Sequence, residues 1–235
     1  MKNVKIFTHY FSESLKEISE NFKIYYIYII ALCIVSIIQI SLDSMFSKED
    51  IILRFLSKTL FSFVPLLILS KILYVIKIRN FGLGEYGSVV WRFILFNFYY
   101  FSLLLLSLGL YVVTATFAGT LINIEMGYLL ASFMLAPFVY VVIYFSLTPY
   151  VAVFNDEGGP VFAKSRLLSS KNIYLVIINH IISLIVPILM SSILLIDKKN
   201  LKIAVAIALS FPEAVFAILM VLTSTKIYMY LNDRE

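Results

Sequence analysis

Apolar runs of about twenty residues recur along this chain, and short segments that carry most of the charge separate them. A helix of about 20 residues crosses about 30 Å of hydrocarbon, so each run is a candidate membrane span. The chain is 61% apolar and only 14% charged, with a mean hydropathy of +0.96. Soluble domains are about half apolar and about a quarter charged. The sequence therefore predicts an integral membrane protein.

The runs predict six spans within a single membrane domain, residues 1–235. A bilayer offers no water to backbone groups, so a spanning segment is a helix or part of a closed barrel. Barrel strands alternate apolar and polar residues in segments of about ten, and the runs do not alternate. We therefore predict an all-α, six-span transmembrane helical bundle, with spans at about residues 24–42, 59–76, 93–113, 126–148, 173–196 and 203–225.

The cations predict which face of the membrane each end of the chain occupies. Lys and Arg are enriched in short cytoplasmic loops. With both termini, the region around the loop after span two and the loop 149–172 inside, thirteen of the 19 Lys and Arg residues lie on the cytoplasmic side. The other six lie on the opposite side: Lys48, Arg54, Lys58, Lys198, Lys199 and Lys202. We therefore expect a multi-pass protein with both termini in the cytoplasm.

Three segments are predicted to form short helices at the membrane interface. Residues 5–20 place apolar side chains at helical spacing among charged ones, which is typical of an amphipathic helix on a membrane surface. Residues 50–58 separate apolar from basic side chains in the same way. Pro160 follows two glycines and suits the first turn of a helix, so we expect a third helix at 160–170, within the cytoplasmic loop.

Short motifs occur in the central loop and near both ends of the chain. The central loop contains Ser165-Arg166-Leu167-Leu168 and Asn172-Ile173-Tyr174-Leu175-Val176. Near the ends lie Tyr10-Phe11-Ser12 and Lys226-Ile227-Tyr228-Met229. These motifs resemble those of the YciC family, a group of bacterial inner-membrane proteins, and the last is similar to the family's final Arg-x-Tyr-Met. The resemblance implies a six-span protein of the bacterial inner (cytoplasmic) membrane. It implies no catalytic residue, since the family has no established activity.

Few residues suit catalysis, a metal or a cofactor. Cys33 is the single cysteine, which excludes an internal disulfide and a cysteine-based metal cage. His9 and His180 lie far apart in sequence, without a carboxylate at ligand spacing. Residues 82–87 match G-x-G-x-x-G, but that motif binds a dinucleotide after a strand, and here a span precedes it. We expect no catalytic residue, no cofactor, no metal and no nucleic-acid partner.

Four cations are candidate contacts for lipid head groups, because they lie near the ends of spans or in the cytoplasmic loop. They are Arg79, Arg92, Lys164 and Arg166. The glycines between the first two are most simply a flexible linker. The alternative is a lipid phosphate bound at the N-terminus of the third span.

One carboxylate is predicted to lie inside the membrane. Glu213 follows Pro212 in span six, at a depth where a charged side chain costs about 2.5–3.5 kcal/mol on insertion scales. We expect Glu213 to be neutral and to form a hydrogen bond within the bundle, with Asn179 and His180 of span five as candidate partners. A proton or cation site is the alternative interpretation.

The leading functional prediction is a non-enzymatic component of the cell envelope that binds membrane lipids or other membrane proteins. The alternative is a small secondary transporter that uses Glu213. A dry, tightly packed bundle favours the first function. A water-accessible cavity at Glu213 favours the second.

Overall fold

Helices make up the regular structure of the described part of the chain. A computed structural model describes residues 2–45, 51–81, 85–121, 125, 132–133, 135–155, 160–192 and 199–233. The helices are α1 (Lys2–Glu20), α2 (Phe22–Met45), α3 (Ile51–Phe81), α4 (Tyr86–Leu121), α5 (Leu135–Phe145), α6 (Thr148–Phe154), α7 (Val161–Lys171), α8 (Ile173–Ser192) and α9 (Lys199–Asn232). The prediction of an all-α fold is confirmed for these residues.

Within the described residues, four stretches are long and apolar enough to cross a membrane. They are Phe22–Gln39 in α2, Tyr86–Phe117 in α4, Leu135–Phe154 across α5 and α6, and Ala208–Asn232 in α9. Helix α8 contributes a shorter apolar stretch, Ile173–Ser183. These lengths and compositions identify a multi-pass helical membrane protein.

The prediction of a separate interfacial helix at 50–58 is wrong, because residues 51–58 form the beginning of α3. This helix runs without a break from Ile51 to Phe81 and includes Pro65. Its 31 residues extend about 46 Å, some 16 Å more than the hydrocarbon thickness. Each residue added to an existing helix gains a backbone hydrogen bond. Helical continuity therefore outweighs the separation of basic from apolar side chains in this segment.

Helix α1 is amphipathic, as predicted for residues 5–20, but it also packs on the bundle. The chain turns at Asn21, between α1 and α2, where Asn21 Nδ2 donates a hydrogen bond to the Glu17 carbonyl over 3.1 Å. One face of α1 buries Phe7, Ser14 and Ile18, and the helix contacts α8 and α9. The amphipathic pattern thus marks a face that packs on other helices of the protein.

Helix α9 lies at the centre of the bundle. Its most extensive contacts are with α2, and it also packs on α1, α3, α6, α7 and α8. Residues 218–225 are all buried. The Thr223 and Thr225 hydroxyls in this stretch donate to the carbonyls of Leu219 and Val221, each over 2.8 Å. These bonds within the helix satisfy the threonines without a partner from another helix.

The segment predicted as the cytoplasmic loop 149–172 contains two helices that enter the bundle. Helix α6 is buried at Pro149 and at residues 151–154. Helix α7 occupies nearly the range predicted at 160–170, yet it buries Ser165, Leu168 and Ser169. It packs against α5, α6, α8 and α9. Both helices of this central segment therefore contribute to the core.

A buried lysine ties α3 to α6. Lys77 is 4% exposed, and its Nζ donates to the Val153 carbonyl over 2.7 Å. An amino group buried without a hydrogen-bond partner would be strongly unfavourable. On the next residue, the Phe154 ring stacks on Tyr228 of α9, with centroids 5.7 Å apart. The end of α6 is thus fixed by α3 on one side and α9 on the other.

We predict that Lys77→Met lowers the free energy of unfolding by about 1–3 kcal/mol, because the buried Val153 carbonyl loses its donor. Lys23→Met, at an exposed position of α2, is the matched control. Both variants would be titrated with a denaturing detergent in mixed micelles. Equal unfolding midpoints for the two variants would contradict the role given to Lys77.

Candidate functional site

A cavity of about 540 Å³ lies at one end of the bundle. Three helices form its walls: α1, the C-terminal end of α3 and the C-terminal end of α9. Helix α1 contributes Glu13 and Glu17, which lie four residues apart and therefore on one helical face. Lys226, Met229 and Asp233 follow one another at intervals of three and four residues at the C-terminal end of α9, so they too share one helical face. The sequence thus places a set of charged side chains on each of two facing helices.

The Glu17 carboxylate connects the three walls of the cavity. The Tyr25 hydroxyl donates to Glu17 Oε1 over 3.0 Å. Lys226 Nζ of α9 lies 3.1 Å from Oε2, and Arg79 Nη1 of α3 lies 3.8 Å from Oε1. The Glu17 and Lys226 side chains are only 19% and 24% exposed. Partial burial reduces screening by water and salt, so this pair contributes more than a surface ion pair does.

The mouth of the cavity carries more negative than positive charge. Glu13 Oε2 lies 4.0 Å from Lys226, and Glu13 Oε1 lies 3.3 Å from His9 Nε2. Asp233 is exposed at the end of α9, and no ion pair to its carboxylate is found among the residues that the structure describes. Three carboxylates and two cations therefore line the cavity.

The floor and one side of the cavity are apolar or aromatic. Ile76 and Leu222 are 8% and 1% exposed, so the floor reaches the core of the bundle. The rings of Tyr10 and Tyr230 lie 5.5 Å apart on one side. A charged mouth over an apolar floor suits a ligand with a polar group and an apolar part.

Two further cavities lie elsewhere on the described residues. One of about 520 Å³ lies on the N-terminal part of α1, beside Tyr230. The other, of about 420 Å³, lies between α4 and the rings of Phe145 and Phe162, and its lining is almost entirely apolar. Neither combines opposite charges with a buried floor as the first cavity does.

Of the four cations predicted to contact lipid head groups, one lines the charged cavity. That residue is Arg79. Arg92 is exposed on α4. Lys164 Nζ donates to Asn155 Oδ1 over 3.2 Å, and the Arg166 guanidinium lies 5.9 Å from the centre of the Tyr140 ring. Lys164 and Arg166 thus have contacts within the central segment and with α5.

The three residues of the predicted intramembrane polar site have separate surroundings. Asn179 Nδ2 donates to Ser224 Oγ over 3.0 Å, and His180 Nε2 lies 3.3 Å from the Tyr100 hydroxyl. Glu213 is exposed on α9, and no hydrogen bond or ion pair to it is found in the described residues. Eleven residues separate it from Ser224 on α9, which is about 16 Å along a helix axis. The Glu213 side chain therefore lies too far along α9 to reach Asn179.

Sequence reasoning did not identify Glu17, Lys226 or Tyr25 as members of one site. The sequence predicts the charges of α1 to form the polar face of an interfacial helix, and Lys226 stands out only as part of a motif near the C-terminus. One available signal was the spacing of Glu13 and Glu17 on one face of α1. That signal does not say which helix the face meets, so the site is a product of the tertiary structure.

We predict a coupling free energy of about 1.5 kcal/mol between Glu17 and Lys226, because their ionic hydrogen bond is partly buried. A double-mutant cycle of Glu17→Gln and Lys226→Met in detergent titrations measures this value. The exposed Lys16–Glu20 pair within α1 is the control and should give at most about 0.5 kcal/mol. Equal coupling in the two cycles would refute the prediction.

We predict that Glu213→Leu changes the free energy of unfolding by less than about 0.5 kcal/mol, because no partner within the described residues is lost. This outcome differs from the sequence-based expectation of a lost interhelical hydrogen bond. Asn179→Leu is the comparison, and it should destabilise by about 1 kcal/mol because Ser224 loses its buried partner. A larger loss for Glu213→Leu than for Asn179→Leu would show that the carboxylate has a partner in the bundle.

Comparison with known proteins assigns no family to this chain. No family model matches it, and neither a curated protein nor a solved structure matches it. The resemblance to the YciC family therefore depends on the short motifs alone and stays a prediction.

Proposed function

We propose that this chain is a membrane-embedded interaction protein that binds lipids or membrane-protein partners without catalysing a reaction. The observation that carries the proposal is the cavity between α1, α3 and α9. It adjoins the end of an apolar stretch of α9 and combines charged side chains with an apolar floor. A ligand at a membrane boundary has the same division into polar and apolar parts.

We also propose that the chain crosses the membrane six times. The arrangement of helix ends supports this number. Tyr25 at the start of α2, Arg79 near the end of α3 and Lys226 near the end of α9 all contact Glu17. A chain that leaves this end in α2 and returns in α3 crosses the bundle twice. The beginning of α4 and the end of α5 likewise share a neighbour, since Phe96 and Phe145 both contact the Phe162 ring.

Helix α8 begins near α1, at the end of the bundle where Glu17 contacts α2, α3 and α9. This position supports α8 and α9 as the fifth and sixth crossings. Asn172 Nδ2, just before α8, donates to Asn3 Oδ1 of α1 over 3.2 Å. The cation distribution supports a cytoplasmic location for that end. The motif resemblance favours the bacterial inner membrane and membership of the YciC family. The proposal therefore includes cytoplasmic termini, a location in the bacterial inner membrane and membership of the YciC family.

The alternative function, a secondary transporter, requires a water-accessible cavity that contains Glu213. The three cavities described above are lined by other residues. A binding role is therefore the better supported of the two.

We predict that the purified full-length protein retains phospholipid or a protein partner through detergent exchange, and that filling the cavity weakens this retention. Met229→Trp places a larger side chain at the lining of the cavity. Phe211→Trp, at an exposed apolar position of α9, is the matched control. Native mass spectrometry measures the retained molecules. Protein free of lipid and partner in every preparation, or equal retention by both variants, would overturn the proposal.

A further inference from the structure

We propose that the cavity between α1, α3 and α9 binds a phosphate ester that carries a primary ammonium group. The head group of an ethanolamine phospholipid has this chemistry, and so does water-soluble phosphoethanolamine. The inference rests on the proposed function, since it names the ligand of the same cavity. It follows from the charges of the lining residues, from their existing contacts and from the apolar floor.

The excess of negative over positive side chains in the cavity favours a zwitterionic ligand over an anionic one. Three carboxylates and two cations line the space. Lys226 lies 3.1 Å from Glu17 and 4.0 Å from Glu13, so its charge is already compensated within the protein. A purely anionic head group would meet an excess of negative charge. An ammonium group on the ligand offsets that excess.

Arg79 is the side chain placed to bind the phosphate. Its side chain is 66% exposed, and its Nη1 atom is 3.8 Å from Glu17 Oε1. That separation exceeds the length of a hydrogen bond, so the guanidinium retains N–H groups for a ligand. A planar guanidinium binds phosphate through two parallel N–H donors. The neighbouring Asn80 amide also lines the cavity.

Asp233 and Glu13 are the side chains placed to accept the ammonium group. Both line the cavity; Glu13 lies on α1, and Asp233 directly follows α9. An ammonium group donates three hydrogen bonds, and ionic hydrogen bonds of this kind are about twice as strong as neutral ones. A choline group has three methyl groups and no N–H donor in that position. The carboxylates therefore select a primary ammonium over choline.

The dimensions and position of the cavity suit a small head group at the membrane boundary. Its volume of about 540 Å³ lies within the usual range for small-molecule sites, about 300–1,000 Å³. Leu222 and Ile76 extend the floor into the apolar core. Tyr10 and Tyr230 provide amphipathic rings at one side, as is common at membrane interfaces. The lining thus suits the junction between a polar head group and an apolar chain.

The test is a competition among three phospholipids with identical acyl chains. The protein in detergent would be incubated with equal amounts of phosphatidylethanolamine, phosphatidylglycerol and phosphatidylcholine. Native mass spectrometry would count the lipids that it retains. We expect the ethanolamine lipid to be retained about tenfold over either competitor, the ratio that one ionic hydrogen bond supplies. In Glu13→Gln/Asp233→Asn this preference should disappear. Glu20→Gln, on the exposed part of α1, should preserve it.

A second arm distinguishes the two sources of the ligand. Displacement of the ethanolamine lipid by phosphoethanolamine indicates a soluble ligand, whereas resistance to displacement indicates the membrane lipid. Either result supports the chemistry proposed. If the double variant does not fold, Asp233→Asn alone, at the exposed end of α9, replaces it and should reduce the preference.

Four outcomes would overturn the inference. Three of them leave the proposed function standing: a preference for the phosphatidylglycerol or phosphatidylcholine lipid, equal retention of all three lipids, and an ethanolamine preference that survives loss of the carboxylates. The fourth, failure to retain any lipid or protein partner, removes both the inference and the proposed function.

Discussion

The hydrogen bond from buried Lys77 to the Val153 carbonyl is the contact on which the arrangement of the bundle depends. Helix α6 ends at Phe154, inside the protein, where a terminal carbonyl without a donor would be strongly unfavourable. Lys77 supplies that donor from the end of α3. With α6 held there, Phe154 stacks on Tyr228 of α9, and α7 packs between α5 and α9. The central segment can therefore enter the core as two short helices without leaving this carbonyl unsatisfied.

The position of α1 is set by its contacts at the end of the bundle that contains Glu17. Helix α1 buries Phe7 and Ile18, which provides a general attraction between helices. Charge fixes its placement, because Glu17 reaches Tyr25, Lys226 and Arg79 on three different helices. An amphipathic helix that only lay on the membrane would not need these partners. Their convergence places α1 along one wall of the cavity.

Two side-chain pairs connect helices deeper in the bundle, whereas Thr223 and Thr225 bond to carbonyls of their own helix. Asn179 bonds to Ser224, and His180 lies beside the Tyr100 hydroxyl. Such pairs tie α8 to α9 and to α4, and interhelical bonds of this kind contribute about 0.6 kcal/mol each. Glu213 differs, since it faces outward from α9. The contrast indicates structural roles for Asn179 and His180, while the charged cavity at the end of the bundle offers exposed groups for a ligand.

The sequence by itself determined that the chain is helical and membrane-embedded, because long apolar runs in a bilayer admit few other structures. It also indicated a helix after Pro160, where the proline and the preceding glycines set a local boundary. It did not determine that α3 continues through residues 51–58, since local amphipathicity and helical continuity compete there. Nor did it determine which helix Glu17 meets or what Glu213 faces. Those outcomes depend on contacts between residues far apart in the chain, such as Glu17 with Lys226, and periodicity within one helix carries no information about its neighbour.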